Sequence, residues 1–284
     1  LSATTSQNLL DPSHSDRQVR KLFPHTGWRL NDFARLWQFR ELLLTLAMRD
    51  VKVRYKQTAL GALWALIQPI AMMIILTAIR KVMGLGGAAD PVLIYAALLP
   101  WFFFASSVTA STNSLVANAN MLRKVYFPRL IVPLASVGAP LVDYFVAFLA
   151  LIGLMAWYGL APTAAFLLLP LCILSTIIAA LGVGILLSAL TVSYRDFRYV
   201  APFLVQVLFF LSPVLYTAAD VPETYRWILG LNPMGGVIEA FRSVVLGHAI
   251  DWSLWLSSTQ VGMVCLLVGL WRFSRAERLF ADVI

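Results

Sequence analysis

The sequence predicts an all-α membrane protein with six transmembrane helices, an N-terminal amphipathic interface helix, and two short re-entrant helices between the fifth and sixth spans. Three observations predict it. Of the 284 residues, 60% are apolar and 13% charged, with a mean hydropathy of +0.79, whereas a soluble domain is roughly 25% charged. Uncharged runs of about the 20 residues needed to cross a bilayer recur along the chain. The 22 Lys and Arg residues are also unevenly placed, 18 on one side of the expected topology and 4 on the other, which is the bias that marks cytoplasmic segments. The net charge of +8 therefore speaks for membrane orientation rather than for nucleic acid.

Residues 1–29 are polar and aperiodic and read as a flexible cytoplasmic tail. The first 57 residues hold no uninterrupted apolar core of the kind a cleavable signal requires, so the N-terminus is expected in the cytoplasm. From Leu30 to Met48 the pattern turns helical. Asn31, Arg35, Gln38, Thr45 and Arg49 share one face, and Phe33, Leu36, Trp37, Leu43, Leu44 and Met48 share the other. Such a helix lies in the membrane interface or packs on protein, and Arg40 on the apolar side speaks for the second. With the charge-dense run that follows, residues 30–57 make an interface helix and a charged cytoplasmic segment, ahead of a membrane domain at 58–284.

Spans are expected at about 58–79, 92–113, 131–157, 165–192, 199–219 and 252–271. The run after Asp90 is too long for one helix, and its last third, from Ser114 through Asn118 and Asn120, is polar enough to leave the bilayer. Tyr158-Gly159-Leu160-Ala161-Pro162-Thr163 is a turn signal between the third and fourth spans. After Asp220 the apolar pieces are short and interrupted by Asn232-Pro233, Gly235-Gly236, Glu239 and Arg242. Residues 222–246 therefore read as two helices that dip in and return, which a bilayer permits only where protein or water covers their backbone. Six spans put both termini on one side, and the positive bias makes that side the cytoplasm.

The motifs that would carry chemistry are few. Neither a GxxxxGK[ST] phosphate loop nor a GxGxxG turn after a strand occurs, so the chain does not bind ATP through those devices. His14, His25 and His248 are scattered, and Cys172 and Cys265 lie in apolar stretches without CxxC spacing. No catalytic residue, metal site or resident cofactor is expected. Asp143 is the one acidic residue inside a strongly apolar span, where ionisable groups are costly. A proton relay competes with a carboxylate held by a polar partner near a channel or subunit interface; the second is favoured because no other span offers an acid or His to continue a relay. Ala180, Gly184 and Ser188 recur every fourth residue and invite close helix approach. Trp101, Phe102, Phe103 and Phe104, with Phe209, Phe210 and Tyr216, either line a pathway that grips the apolar faces of sugar rings or face lipid and neighbouring helices.

Several segments together resemble one family. The run Arg49-Asp50-Val51-Lys52-Val53-Arg54-Tyr55-Lys56-Gln57, continuing to Gln68-Pro69, is similar to the start of the first span in permeases of bacterial polysaccharide-exporting ABC transporters, the exporters of O-antigen, teichoic acid and capsule. So are Asn118-Ala119-Asn120 through Val125-Tyr126-Phe127-Pro128-Arg129, Tyr194-Arg195-Asp196-Phe197-Arg198, Leu231-Asn232-Pro233-Met234, and the tail from Glu277 to Ile284. The resemblance runs in order over roughly residues 30–284.

The resemblance implies a transport subunit rather than an enzyme. It implies a homodimer in the bacterial inner membrane, paired with two separate ATPase subunits that hold ATP and Mg, moving an O-antigen-like lipid-linked polysaccharide outward. The interface helix, a docking segment between the second and third spans, and an outer gate of re-entrant helices belong to the same expectation. Carried over, coupling to the ATPase falls on Arg49, Asp50, Lys52, Arg54, Tyr55, Asn118, Asn120, Arg123, Lys124 and Tyr126. Arg29, Arg35 and Arg40 would receive the diphosphate of the lipid carrier, or else contact solvent and lipid headgroups. Membrane lipids are expected partners and nucleic acid is not. Two alternatives stand beside this reading. An ABC exporter of a drug or small lipid shares the topology without needing a wide aromatic channel. A membrane-embedded glycan transferase lacks the clustered acid and base groups it would need.

Overall fold

The structure is a computed structural model that describes residues 36–56, 61–84, 87, 90–125 and 127–276. Among these residues there is no strand, and the all-helical expectation holds. The helices are α1 (Arg40–Lys56), α2 (Trp64–Val82), α3 (Asp90–Ala117), α4 (Ala119–Lys124), α5 (Ile131–Ser136), α6 (Gly138–Trp157), α7 (Leu169–Ser193), α8 (Phe197–Leu211), α9 (Arg226–Leu231), α10 (Gly235–Leu246) and α11 (Trp252–Ala276). Five stretches are long and apolar enough to cross a membrane: Trp64–Val82, Asp90–Ala117, Ile131–Trp157, Ala164–Ser193 and Trp252–Ala276.

The expected fifth span departs from this pattern. In place of a helix over 199–219, α8 has 15 residues and ends at Leu211, a length of about 22 Å against a hydrocarbon core of about 30 Å. Pro213 is the cause, because a proline disfavours helical backbone in the residue before it. Ser212 is accordingly extended, at φ −91° and ψ 146°. The second span differs the other way and continues four residues beyond Asn113. Its polar side chains serve the helix rather than ending it: Thr112, Asn113, Ser114 and Asn118 each donate to a carbonyl three or four residues earlier, at 2.7–3.0 Å.

Apolar side chains gather in three clusters along the helices. The central one joins α3, α6, α7 and α10, and α3 lies deepest, buried over 72% of its most apolar stretch against 17% for α2. Trp255 of α11 anchors there through its indole N–H, which donates to Ser175 Oγ at 3.2 Å. The Ala180–Gly184–Ser188 seam faces α3, with Gly184 set against Ser111. A second cluster joins Leu46 of α1 to Leu115, Leu122, Ile131, Ile185 and Phe273. A third, small cluster holds Ala218, Leu229 and Leu254.

From Arg40 on, the expected interface helix and the charged segment after it form one helix, α1. Its inner face of Leu42, Leu43, Leu46 and Ala47 packs on the second cluster, while Trp37, Leu44 and Met48 stay exposed. The helix packs on protein with one side, as the second reading of the periodicity has it, and presents the exposed apolar residues Leu44 and Met48 on another; residues 30–35 of the expected interface helix lie outside the described residues. α10 is the converse case. Ten of its twelve residues are buried, and a Cβ on Gly236 would overlap the Leu254 carbonyl of α11. The Gly236 N–H donates to Ser258 Oγ at 2.8 Å.

Gly236→Ala is therefore expected to push α10 off α11 and to destabilise the protein by about 1–3 kcal/mol, read as a lower thermal midpoint in detergent. Gly153→Ala, where the added carbon meets nothing within 4 Å, should leave the midpoint in place.

Candidate functional site

The charged segment of α1 meets the membrane helices at two points. Ala47 approaches Gly138 so closely that a Cβ there would come within 2.7 Å of the alanine methyl, which brings the last turns of α1 alongside α6. Two turns further along α1, Arg54 Nη2 reaches Asp143 Oδ2 at 2.6 Å, and the Tyr55 hydroxyl donates to the other carboxylate oxygen. Burial and then the hydrogen bond to this carboxylate push Tyr55 up to about 12, so the phenol remains a proton donor throughout the physiological range. Asp143 is thus a carboxylate held by a cation and a hydroxyl. The geometry matches the reading of a carboxylate held by a polar partner.

The second point lies just past the end of α3, at Asn118. Arg49 Nη2 donates to Asn118 Oδ1 and to Asp50 Oδ1, both at 2.8 Å. Arg49, Asp50 and Asn118, which the sequence separates into two segments, are therefore one cluster. Lys52, Asn120, Arg123 and Lys124 are exposed around it, while Leu122 and Phe127 bury themselves to either side and fix α4 to the body. Tyr126 lies outside the described residues. The outcome is a basic, solvent-facing surface whose backbone is tied to α3 and α6 by bonds from α1.

Between α1, α2, α3 and α6 lies a cavity of about 230 Å³. Arg54, Tyr55 and Asp143 form one wall, Gln68 and Ser106 contribute polar groups, and Trp64 and Phe102 supply aromatic faces. No feature of composition could have signalled this space, because its walls come from four separate helices.

The aromatic residues divide. Trp101, Phe103 and Phe104 are core residues, at most 4% exposed, and Phe103 also borders the cavity. Trp101 packs against Phe104 at 5.5 Å and Phe209 at 5.4 Å between ring centroids. Phe209 in turn touches Phe210 at 5.5 Å, and Phe210 is exposed. Phe102, Phe209 and Tyr216 are half-buried. The exposed face of α8, with Tyr199, Phe203, Gln206 and Phe210, is where this ladder reaches the surface. Among the expected diphosphate-binding residues, Arg40 is exposed and stacks over Trp37 at 5.4 Å; Arg29 and Arg35 lie outside the described residues.

The remaining motifs also find places. Asn232 Nδ2 donates to Ser212 Oγ at 2.9 Å and its Oδ1 accepts the Met234 N–H at 3.0 Å, so Leu231–Met234 ties the end of α8 to the α9–α10 turn. Tyr194, Arg195 and Asp196 make the exposed turn between α7 and α8, and Phe197 and Arg198 open α8.

This body of helices, with a basic surface on an N-terminal helix and the α3–α5 connection, matches the profile of the ABC-2 type transporter membrane family over residues 41–246. The chain belongs to that family. It is 29% identical over 246 residues to an O-antigen export system permease protein of Klebsiella pneumoniae, covering 86% of this chain and 95% of the relative. It is 27% identical over 253 residues to the permease of the same description from Myxococcus xanthus, covering 88% and 97%. A polysialic acid transport protein of Escherichia coli is 27% identical over 234 residues, covering 79% and 89%. Two of these relatives are permeases and the third a transport protein by name, which places the ABC-2 chain among transporter components.

If Arg54 and Asp143 hold α1 to α6, replacing either by Ala should free the last turns of α1, giving about two- to fivefold faster amide exchange over residues 50–56. The double variant should be no worse than either single one. A coupling of about 0.5–1 kcal/mol is expected in the double-mutant cycle, the low range reflecting the half-exposed arginine.

Proposed function

We propose that this chain is the transmembrane permease subunit of an ATP-driven exporter that moves a lipid-linked, O-antigen-like polysaccharide outward across the bacterial inner membrane. The observation that carries this reading is the likeness to O-antigen and capsule-type permeases along nearly their whole length. The working unit is two copies of the chain with two ATP-binding-cassette ATPase subunits. ATP and Mg reside in the ATPases, so energy reaches this chain only as motion.

The coupling surface is the exposed set Lys52, Asn120, Arg123 and Lys124, backed by the Arg49–Asp50–Asn118 cluster. Motion received there passes into α3 through Asn118 and into α6 through Asp143, because those are the bonds α1 makes. The topology is six-spanned with both termini cytoplasmic, α8 serving as a short fifth span. The path for the glycan runs along the exposed face of α8, where Phe210 and Phe209 offer flat apolar faces to sugar rings. α9 and α10 re-enter from the outer side and close that end; the burial of α10 supports this, since only a covered backbone may break its helix at such a depth. Arg40, with Arg29 and Arg35, contributes positive charge where a lipid diphosphate would arrive.

Deleting the chain should leave finished lipid-linked polymer inside the cell, detected by immunolabelling before and after permeabilisation; polymer at the surface of the deletion strain would refute the reading. Arg123→Glu combined with Lys124→Glu should lower recovery of the ATPase subunit with the permease by about tenfold or more, and export with it. Normal recovery would place docking elsewhere.

A further inference from the structure

The turn over residues 213–221, between α8 and α9, has few apolar anchors of its own: Pro213, Val214 and Ala218 are its buried members. Its backbone carbonyls nevertheless require partners, and three arginines supply them. Arg242 of α10 donates to the Pro213 carbonyl through Nη2 at 2.6 Å and to the Tyr216 carbonyl through Nη1 at 3.2 Å. Arg80 of α2 donates to the Leu215 carbonyl at 2.9 Å. Arg226 of α9 shares its Nε–H between the Ala218 and Val221 carbonyls, at 3.1 and 3.3 Å. Three of the four basic residues assigned to the outer side are thus engaged with one turn.

The charges of Arg80 and Arg242 are answered locally. Asp90 of α3 faces Arg80 at 3.4 Å, and Glu239 faces Arg242 at 2.9 Å. Asp220 accepts from the Thr217 N–H at 2.7 Å and the Thr217 hydroxyl at 2.9 Å. The Thr217 backbone bond, followed by that hydroxyl and the nearby Arg80 and Arg242, holds the Asp220 carboxyl below its ordinary value despite partial burial. Arg242 and Arg80 are themselves buried, at 2% and 8% exposure. A buried guanidinium that satisfies carbonyls from another segment fixes geometry, because moving that segment would strand both partners in a medium of low dielectric.

We propose that Arg80, Arg226 and Arg242 are positioning residues that clamp the 213–221 turn to α2, α9 and α10, making it a fixed post at the outer mouth of the export path rather than a lid that unfolds in each cycle. The outer-mouth assignment rests on the function proposed above; the clamp itself rests on the bonds. Lysine cannot replace Arg242, since one ammonium on a flexible stem does not span two carbonyls and a carboxylate as the planar fork does. This separates clamping from mere positive charge.

The test uses the full chain in spheroplasts, with Cys172→Ala and Cys265→Ala, and a reporter at Val214→Cys, a position with no exposure. A membrane-impermeant maleimide should label the reporter slowly, and about tenfold faster or more when Arg242→Lys or Arg80→Gln is added. Glu223→Cys, exposed and outside the clamp, should label equally in all backgrounds. Asp90→Asn and Glu239→Gln, which spare the guanidinium–carbonyl bonds, should keep more of the protection than either arginine variant. Unchanged labelling in the arginine variants would overturn the clamp, and fast labelling in the parent during active export would overturn the fixed post. Should Arg242→Lys fail to reach the membrane, Arg80→Gln carries the same measurement. Surface polymer in the deletion strain would refute the export function while leaving the labelling result to judge the clamp alone.

Discussion

In a bilayer a peptide group that does not bond within its own helix must find a partner in the protein, and this requirement governs where the chain can bend. Along α2, α3, α6, α7 and α11 it is met locally, and the polar side chains near the end of α3 fold back onto its carbonyls. Where the chain breaks, at Ser212-Pro213 and again at Asn232-Pro233, the open backbone groups are taken by Asn232, Ser212, Arg80, Arg226 and Arg242. The short α8, the enclosed α10 and the packed turn between α8 and α9 are consequences of the same constraint.

The opposite end of the molecule uses charge differently. There α1 lies against the second apolar cluster, and its charged residues fall into those that bind the chain to itself and those left outward. Arg49 and Arg54 connect to α3 and α6, and Lys52, Arg123 and Lys124 remain exposed. An N-terminal helix anchored at two points and basic on its outer side is suited to receive a push and pass it into rigid spans. Surface ion pairs of this exposure contribute little stability, so the value of Arg54–Asp143 lies in fixing the register between two helices.

The family motifs acquire physical meaning in this setting. Asn118 is the acceptor that joins α1 to α3, and Asn232 is the residue that closes a proline-broken turn while bonding the end of α8. Asp143, which stands out in the sequence as a charge in an apolar span, is the far half of a bond made by the charged end of α1. The aromatic run after Pro100 is mostly core: a cluster of large flat side chains is equally suited to lining a path and to filling an interior, and composition does not separate the two.

Helical class, the approximate positions of the long spans and the lack of the familiar nucleotide-binding motifs could be read from the sequence alone, because hydrophobic run length and motif spacing are local properties. The shortness of α8 was also written locally, in Pro213, although the apolar run continues past it. The tertiary structure alone decided which charges meet. Tyr55 and Asp143 are 88 residues apart, and Arg80 finds the Leu215 carbonyl 135 residues away. Such pairings depend on how helices are set beside one another, and that follows from the summed packing of Gly138 on Ala47, Gly236 on Leu254 and the α3 core rather than from any segment read by itself.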